Sequence, residues 1–280
     1  MFELPPDLAE IRLHEQAGRV MHFGSRYRFL QAINGLRPGC IHGLLAPSSM
    51  GKSTLLRSII ADTSEIKKVG VILSEETDIE YSSGFERQGE PVCWENLRYA
   101  SESKIVSMYD TKEEQLDAII SFAIENDIKA LFWDNITTGG ILGDTVMPNQ
   151  VAVLLDRLKK NLFLNQIALM FIAHTNKSVK TEQSFQFQGE DVRGSAQYYS
   201  KSDYFFTLQT KTKEDKKITF VKIAKHRFHQ PKDIYYVLPF EVNKYVKDKP
   251  VKYSIIQEIF EKEKKKDETT RTSYQSYSRR

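Results

Sequence analysis

The stretch that most constrains this 280-residue chain is Ala46-Pro47-Ser48-Ser49-Met50-Gly51-Lys52-Ser53. An apolar run, Ile41 to Leu45, leads into it, and a helical stretch, Ser53 to Asp62, leads out. Strand, loop of small residues and helix, in that order, make a phosphate-binding loop, here with Ala46 at the first glycine position. Such a turn offers backbone N–H groups to an anion, and the helix N-terminus adds partial positive charge. Gly51 is required because a side chain there would obstruct the turn. Lys52 is then the contact to the β- and γ-phosphates, and the Ser53 hydroxyl is a ligand for Mg²⁺. The expected cradle for ATP runs through Ala46, Pro47, Ser48, Ser49, Met50, Gly51, Lys52, Ser53 and Thr54.

Three more apolar runs end in polar residues that suit this chemistry. Val69 to Leu73 ends in Ser74-Glu75-Glu76-Thr77. A carboxylate at that place can orient or deprotonate the water that attacks a γ-phosphate. Lys129 to Asp134 is a strand that delivers one carboxylate, Asp134, to the Mg²⁺ shell. Ile167 to Ala173 ends in His174-Thr175-Asn176-Lys177.

Composition limits the alternatives. A hydrophobic content of 40% is enough for the core of one large α/β domain. There is no N-terminal signal peptide and no apolar run near the ~20 residues of a membrane span. Cys40 and Cys93 lie far apart without metal-ligand spacing, which suits a reducing, cytoplasmic setting. A net charge of +3 is too weak to argue nucleic acid by itself, so any DNA site must be a local patch.

The remaining segments fall into place by periodicity. Residues 5–22 form an amphipathic helix that packs on its own domain or docks on a neighbouring subunit. Ile105 to Met108 reads as a short strand, Lys112 to Asn126 and Val151 to Leu164 as helices, and Ile218 to Ala224 as a strand of alternating type. Ile234 to Phe240 is expected to be the last strand. Residues 177–188 are polar with Lys177, Lys180, Phe185 and Phe187 interleaved, a pattern able to hold phosphates and stack bases. From Glu261 onward seven Lys/Arg stand against four Asp/Glu, as in a disordered basic tail. The expected organisation is an N-terminal helical extension (1–26), an ATPase domain (27–250) and a charged tail (251–280).

Motif order carries a resemblance. Gly35-Leu36-Arg37-Pro38-Gly39, the Ala46–Ser53 loop, Glu190-Asp191-Val192-Arg193-Gly194-Ser195 and Lys225-His226-Arg227 follow one another as in the ATPase domain of DnaB-type replicative helicases and other RecA-fold proteins. The likeness spans roughly residues 27–240. It implies an α/β, RecA-like P-loop fold: a mostly parallel central sheet flanked by helices, with late antiparallel strands. It implies Glu76 as catalytic base, with Glu75 the runner-up, and His174 as γ-phosphate sensor. Lys225 and Arg227 would reach a neighbour's γ-phosphate. Lys177, Lys180, Phe185, Phe187 and Arg193 would lie along single-stranded DNA. The function implied is an ATP-driven DNA translocase or helicase, working as a homo-oligomer, a hexameric ring, with replication proteins as further partners. The Ala196-Gln197-Tyr198-Tyr199-Ser200 stretch departs from that family's pattern. Two rivals stand beside this reading: a RadA- or KaiC-like recombination or regulatory ATPase, and a nucleotide-switched DNA-binding or loading protein with little turnover.

Overall fold

The computed structural model describes residues 26–143, 145–175, 191–213, 216–228, 234–241, 244–245 and 247–252. The helix expected at 5–22, the loop residues Lys177, Lys180, Phe185 and Phe187, and the basic tail lie outside them.

Four mostly apolar runs become the middle of a sheet: β1 (Ile41–Ala46), interrupted by His42, β2 (Val69–Leu73), β4 (Ala130–Asp134) and β5 (Ala168–His174), the last two ending in a polar residue. Continuous apolar runs suit parallel strands covered on both faces. Alternate residues divide between two cores. Leu44, Phe132, Met170 and Ile172 pack on one side, and Leu45, Trp133, Leu169 and Phe171 on the other. The first face is covered by α1 (Arg28–Gln31) and α2 (Lys52–Ser64), the second by α5 (Lys112–Glu125) and α6 (Pro148–Leu164). Full burial of each large aliphatic side chain contributes about 1.5–3 kcal/mol.

The nine-stranded sheet has the order β11-β8-β7-β6-β1-β5-β4-β2-β3. β3 (Leu97–Ser101) and β6 (Tyr204–Lys213) extend the parallel part, with β6 beside β1. β7 (Lys216–His226), β8 (Ile234–Leu238) and β11 (Lys249–Lys252) add an antiparallel half. β9 (Phe240–Glu241) and β10 (Lys244–Tyr245) pair separately. The architecture is the α/β, RecA-like sheet with late antiparallel strands that the motifs imply.

Several boundaries differ from the sequence reading. Ile105 to Met108 is not a strand. It ends α4 (Glu102–Met108), and β3 directly precedes it. Two β-branched residues favour a strand locally, but burial of Glu102 at the helix start overrides them. Ile234 to Phe240 is not last, since β9, β10 and β11 follow. The 250/251 boundary therefore falls inside β11. Arg26 belongs to the folded body: its guanidinium binds Asp62 and Glu90. α3 (Asp78–Gln88) had a local signal, Thr77-x-x-Glu80, which forms a capping box.

The C-terminal segment braces the front of the molecule. Asp248, fully buried, accepts from the backbone N–H groups of Arg28 and Phe29 and so caps α1. Tyr27 Oη donates to the Tyr245 carbonyl at 3.0 Å, and Tyr245 Oη donates to the Met50 carbonyl at 3.3 Å.

Candidate nucleotide-binding site

Parallel strands release their chains at one edge, and the loops there form the crevice of an α/β sheet. The C-terminal ends of β1, β2, β4 and β5 meet at such a crevice, a cleft of about 530 Å³. Ser48, Ser49, Gly51, Lys52, Ser53 and Thr54 line one wall. Glu75, Glu76, Tyr81, Asp134, Asn135, Thr138, His174 and Arg193 line the rest.

Gly51 caps α2 at φ 81°, in the left-handed region. A Cβ there would also lie 2.3 Å from Tyr245 Oη, so the turn and its backing both demand glycine. Lys52 folds back over the loop and donates to the carbonyls of Ala46 (2.9 Å) and Pro47 (2.7 Å). Burial pushes its ammonium down to about 8, against the opposing charges of Asp134 and Glu75.

Asp134 is half-buried with its Oδ2 sealed from solvent, and its carboxyl is pushed up to about 6, chiefly by desolvation; a hydrogen bond from Ser53 and the charge of Arg57 pull the other way. Its Oδ2 has no hydrogen-bond partner among the described residues. An orphaned carboxylate oxygen beside a hydroxyl, in a cleft lined by a lysine, is a donor set that fits a hard divalent cation such as Mg²⁺. Ser53 and Asp134 would hold it.

Glu76 and Glu75 both reach the cleft, in different company. Glu76 Oε2 accepts from Arg57 Nη2 at 2.6 Å. Glu75 is felt electrostatically by Lys52 and by His174. Tyr81 is fully buried under the Arg57 guanidinium, and its Oη has no hydrogen-bond partner among the described residues.

His174 closes the cleft from β5. Its Nδ1 lies 3.2 Å from Lys52 Nζ and 3.3 Å from Ser48 Oγ, and its Nε2 lies 2.9 Å from Asn135 Nδ2. Burial, with the charge of Lys52 next, pushes the imidazole down to about 4, so it is neutral near pH 7. Arg193, which the resemblance sets on nucleic acid, is among the residues that line this cleft. Its backbone N–H donates to the His174 carbonyl at 2.8 Å, and an antiparallel bridge joins Thr175 to Val192.

Lys225 and Arg227 are not brought to this site. β6 starts where β1 starts, and β7 runs back to that same end, so both cations sit at the sheet edge opposite Lys52. Lys225 Nζ donates to the carbonyls of Tyr199 and Ser200 at 2.8 Å each. They close α7 (Gln197–Lys201). Arg227 Nη1 donates at 2.8 Å to Asp203, which also accepts from Lys159 at 2.5 Å.

Sequence reasoning missed Glu102. This carboxylate is 1% exposed and collects Trp133 Nε1 (3.0 Å), the Ile141 N–H (2.8 Å) and the Ser74 hydroxyl. It ties the ends of β2 and β4 to the loop after Asp134. Gly139 leaves room for it, since a Cβ there would lie 2.2 Å from Glu102 Oε2. Nothing local marks such a residue; a Glu after a short strand looks solvated.

Fold and cleft together define a P-loop protein with a RecA-like sheet. No protein-family model matches the chain, and no curated protein does so at a significant level. Among solved structures it is similar to a KaiC-like protein, PH0186, from the hyperthermophilic archaeon Pyrococcus horikoshii OT3. The TM-score is 0.57 at 14% identity, covering 78% of this chain and 92% of that one. At that identity the likeness speaks for the fold alone. No helix among the described residues is long and apolar enough to cross a membrane.

Proposed function

We propose that this chain is a RecA-fold ATPase that takes Mg²⁺–ATP in the cleft and acts as an assembly in which neighbouring copies complete one another's sites. The observation that carries this is the separation of parts. One sheet edge holds a phosphate loop, an orphaned metal-type carboxylate and two candidate bases. The opposite edge presents Lys225 and Arg227, which cannot reach the cleft of their own chain.

Lys52 would release the Ala46 and Pro47 carbonyls and donate to the terminal phosphates instead. Ser53 and Asp134 would hold the cation, which when bound neutralises phosphate charge. Glu76, or Glu75, would take a proton from the attacking water. Arg227 of a neighbouring copy would stabilise charge in the transition state.

The KaiC-like neighbour supports a RadA- or KaiC-like recombination or regulatory ATPase as the finer reading. The DnaB-like helicase is a second reading, supported by motif order and by the direct succession of His174 and the Lys177–Gln188 segment. Measuring the mass of the protein with an ATP analogue, with and without a single-stranded oligonucleotide, separates them. A closed ring that binds the oligonucleotide and hydrolyses ATP faster with it favours the helicase. Assembly on nucleotide alone, with a rate indifferent to DNA, favours the KaiC-like reading. A dilute monomer that hydrolyses ATP at full rate would overturn the shared-site proposal.

A further inference from the structure

His174 has two ring nitrogens, and its neighbours decide which one carries the proton. Asn135 Oδ1 accepts from the Thr138 backbone N–H at 2.9 Å, from Thr138 Oγ1 at 2.8 Å and from Thr137 Oγ1 at 3.2 Å. The backbone donor cannot rotate away, so it fixes which end of the amide is oxygen. The NH₂ end then faces His174 Nε2 at 2.9 Å. Nε2 must accept, and the proton sits on Nδ1.

Nδ1 faces the phosphate loop: Ser48 Oγ at 3.3 Å and Lys52 Nζ at 3.2 Å. The opposite tautomer would set Nε2–H against an NH₂ group. Turning the amide would instead set that NH₂ against the Thr138 N–H. Both clashes fall on the amide of Asn135, which is 2% exposed and has no room in which to turn to water. The Nδ1–H form has only the Lys52 ammonium to avoid. That group ends a flexible side chain, and Ser48 accepts the hydrogen bond. Nδ1–H and the Lys52 ammonium thus converge beside a hydroxyl that can rotate away, and one anionic oxygen could accept from both.

We propose that Asn135 is a positioning residue: by holding His174 in the Nδ1–H tautomer, it aims a neutral hydrogen-bond donor at the terminal phosphate of a bound nucleoside triphosphate. The phosphate half of this inference rests on the ATP reading above. ADP lacks the group addressed, so the contact favours the triphosphate alone. It also links the sensor to the residue that follows Asp134, and so to the metal side of the cleft.

The test uses the whole chain labelled with ¹⁵N-histidine, without nucleotide, at about pH 8.5, above the usual imidazole titration. The His174→Gln spectrum identifies the His174 signals. Wild type is expected to show a protonated Nδ1 and a bare Nε2. Asn135→Asp keeps the shape and the contacts to Thr137 and Thr138 but replaces the donor with an acceptor, and should move the proton to Nε2. Calorimetry with Mg²⁺ then compares a non-hydrolysable ATP analogue with ADP. Asn135→Asp should weaken the analogue roughly tenfold or more, the range for one hydrogen bond to a charged group, and leave ADP within about twofold. A wild-type proton on Nε2, or an unmoved proton in Asn135→Asp, overturns the tautomer lock. Equal losses for both nucleotides overturn the phosphate contact. A wild type that binds neither nucleotide overturns the ATP reading itself, and the tautomer is still read from the spectrum.

Discussion

Arg57 Nη2 donates to Glu76 Oε2 at 2.6 Å while its guanidinium lies 4.4 Å over the Tyr81 ring. The pair is asymmetric: the Arg57 side chain is 9% exposed and that of Glu76 is 40%. A buried cation thus fixes the direction of a carboxylate that itself faces the cleft. Gly84, one turn along α3, leaves the space, since a Cβ there would lie 2.5 Å from Arg57 Nε.

Glu76→Gln should retain Mg²⁺–ATP and lose hydrolysis by about 10²–10⁴-fold, the usual range for a general base. Glu75→Gln should have a much smaller effect. Single-turnover hydrolysis and nucleotide affinity for both variants check this. Wild-type turnover in Glu76→Gln would move the role to Glu75.

Asp134 links metal binding to stability. Its carboxyl is raised from 3.8 to about 6 in the folded chain. The folded state holds the proton more tightly, so this contribution is present below the unfolded value and lost as pH rises through the folded one. Near pH 7, without metal, the ionised carboxylate costs at most about 3 kcal/mol. Asp134→Asn should therefore melt higher than wild type at neutral pH without nucleotide, with the gap closing near the lower value. Mg²⁺–ADP should stabilise wild type and leave the variant nearly unmoved. Thermal melts across a pH series, with and without Mg²⁺–ADP, measure both effects.

His42 gives acid sensitivity of opposite sign. It is fully buried, stacks on Tyr204, donates from Nδ1 to the Leu169 carbonyl at 2.9 Å and accepts the Arg37 N–H at Nε2 at 3.2 Å. Burial pushes it down from 6.5 to about 4. The unfolded chain takes the proton first, so stability is full above the unfolded value and falls between about 6.5 and 4. His42→Phe should flatten that slope and lose about 1–3 kcal/mol at neutral pH, because the Leu169 carbonyl and Arg37 N–H lose their partner. Urea midpoints at neutral and mildly acidic pH check it; an unchanged acid slope would assign the sensitivity elsewhere.

Arg227→Ala should bind ATP like wild type and hydrolyse it poorly. Lys159 still neutralises Asp203, so the fold should hold. Mixing Arg227→Ala with Lys52→Ala protein should restore part of the activity at mixed interfaces. No recovery on mixing, with both variants folded by circular dichroism, would remove Arg227 from a neighbour's site.

What the sequence determined follows from burial and spacing. β1, β2, β4 and β5 are buried on both faces, so each reads as a mostly apolar run, His42 aside, and each leads into the polar residues of the cleft. Lys52, Ser53, Glu75, Glu76, Asp134 and His174 were legible because a strand end is a local feature. The tertiary structure decided everything that depends on partners far apart in the chain. Arg193 turned to the cleft because β5 and the residues after it pair through Thr175 and Val192. Glu102 became buried because donors from Ser74, Trp133 and Ile141 converge on it. Asn135 gained its direction from Thr138 and His174, and Asp248 caps a helix more than 200 residues earlier. No periodicity announces such a hydrogen bond: a buried polar group must find a partner, and which segment supplies it is settled only when the strands have taken their order.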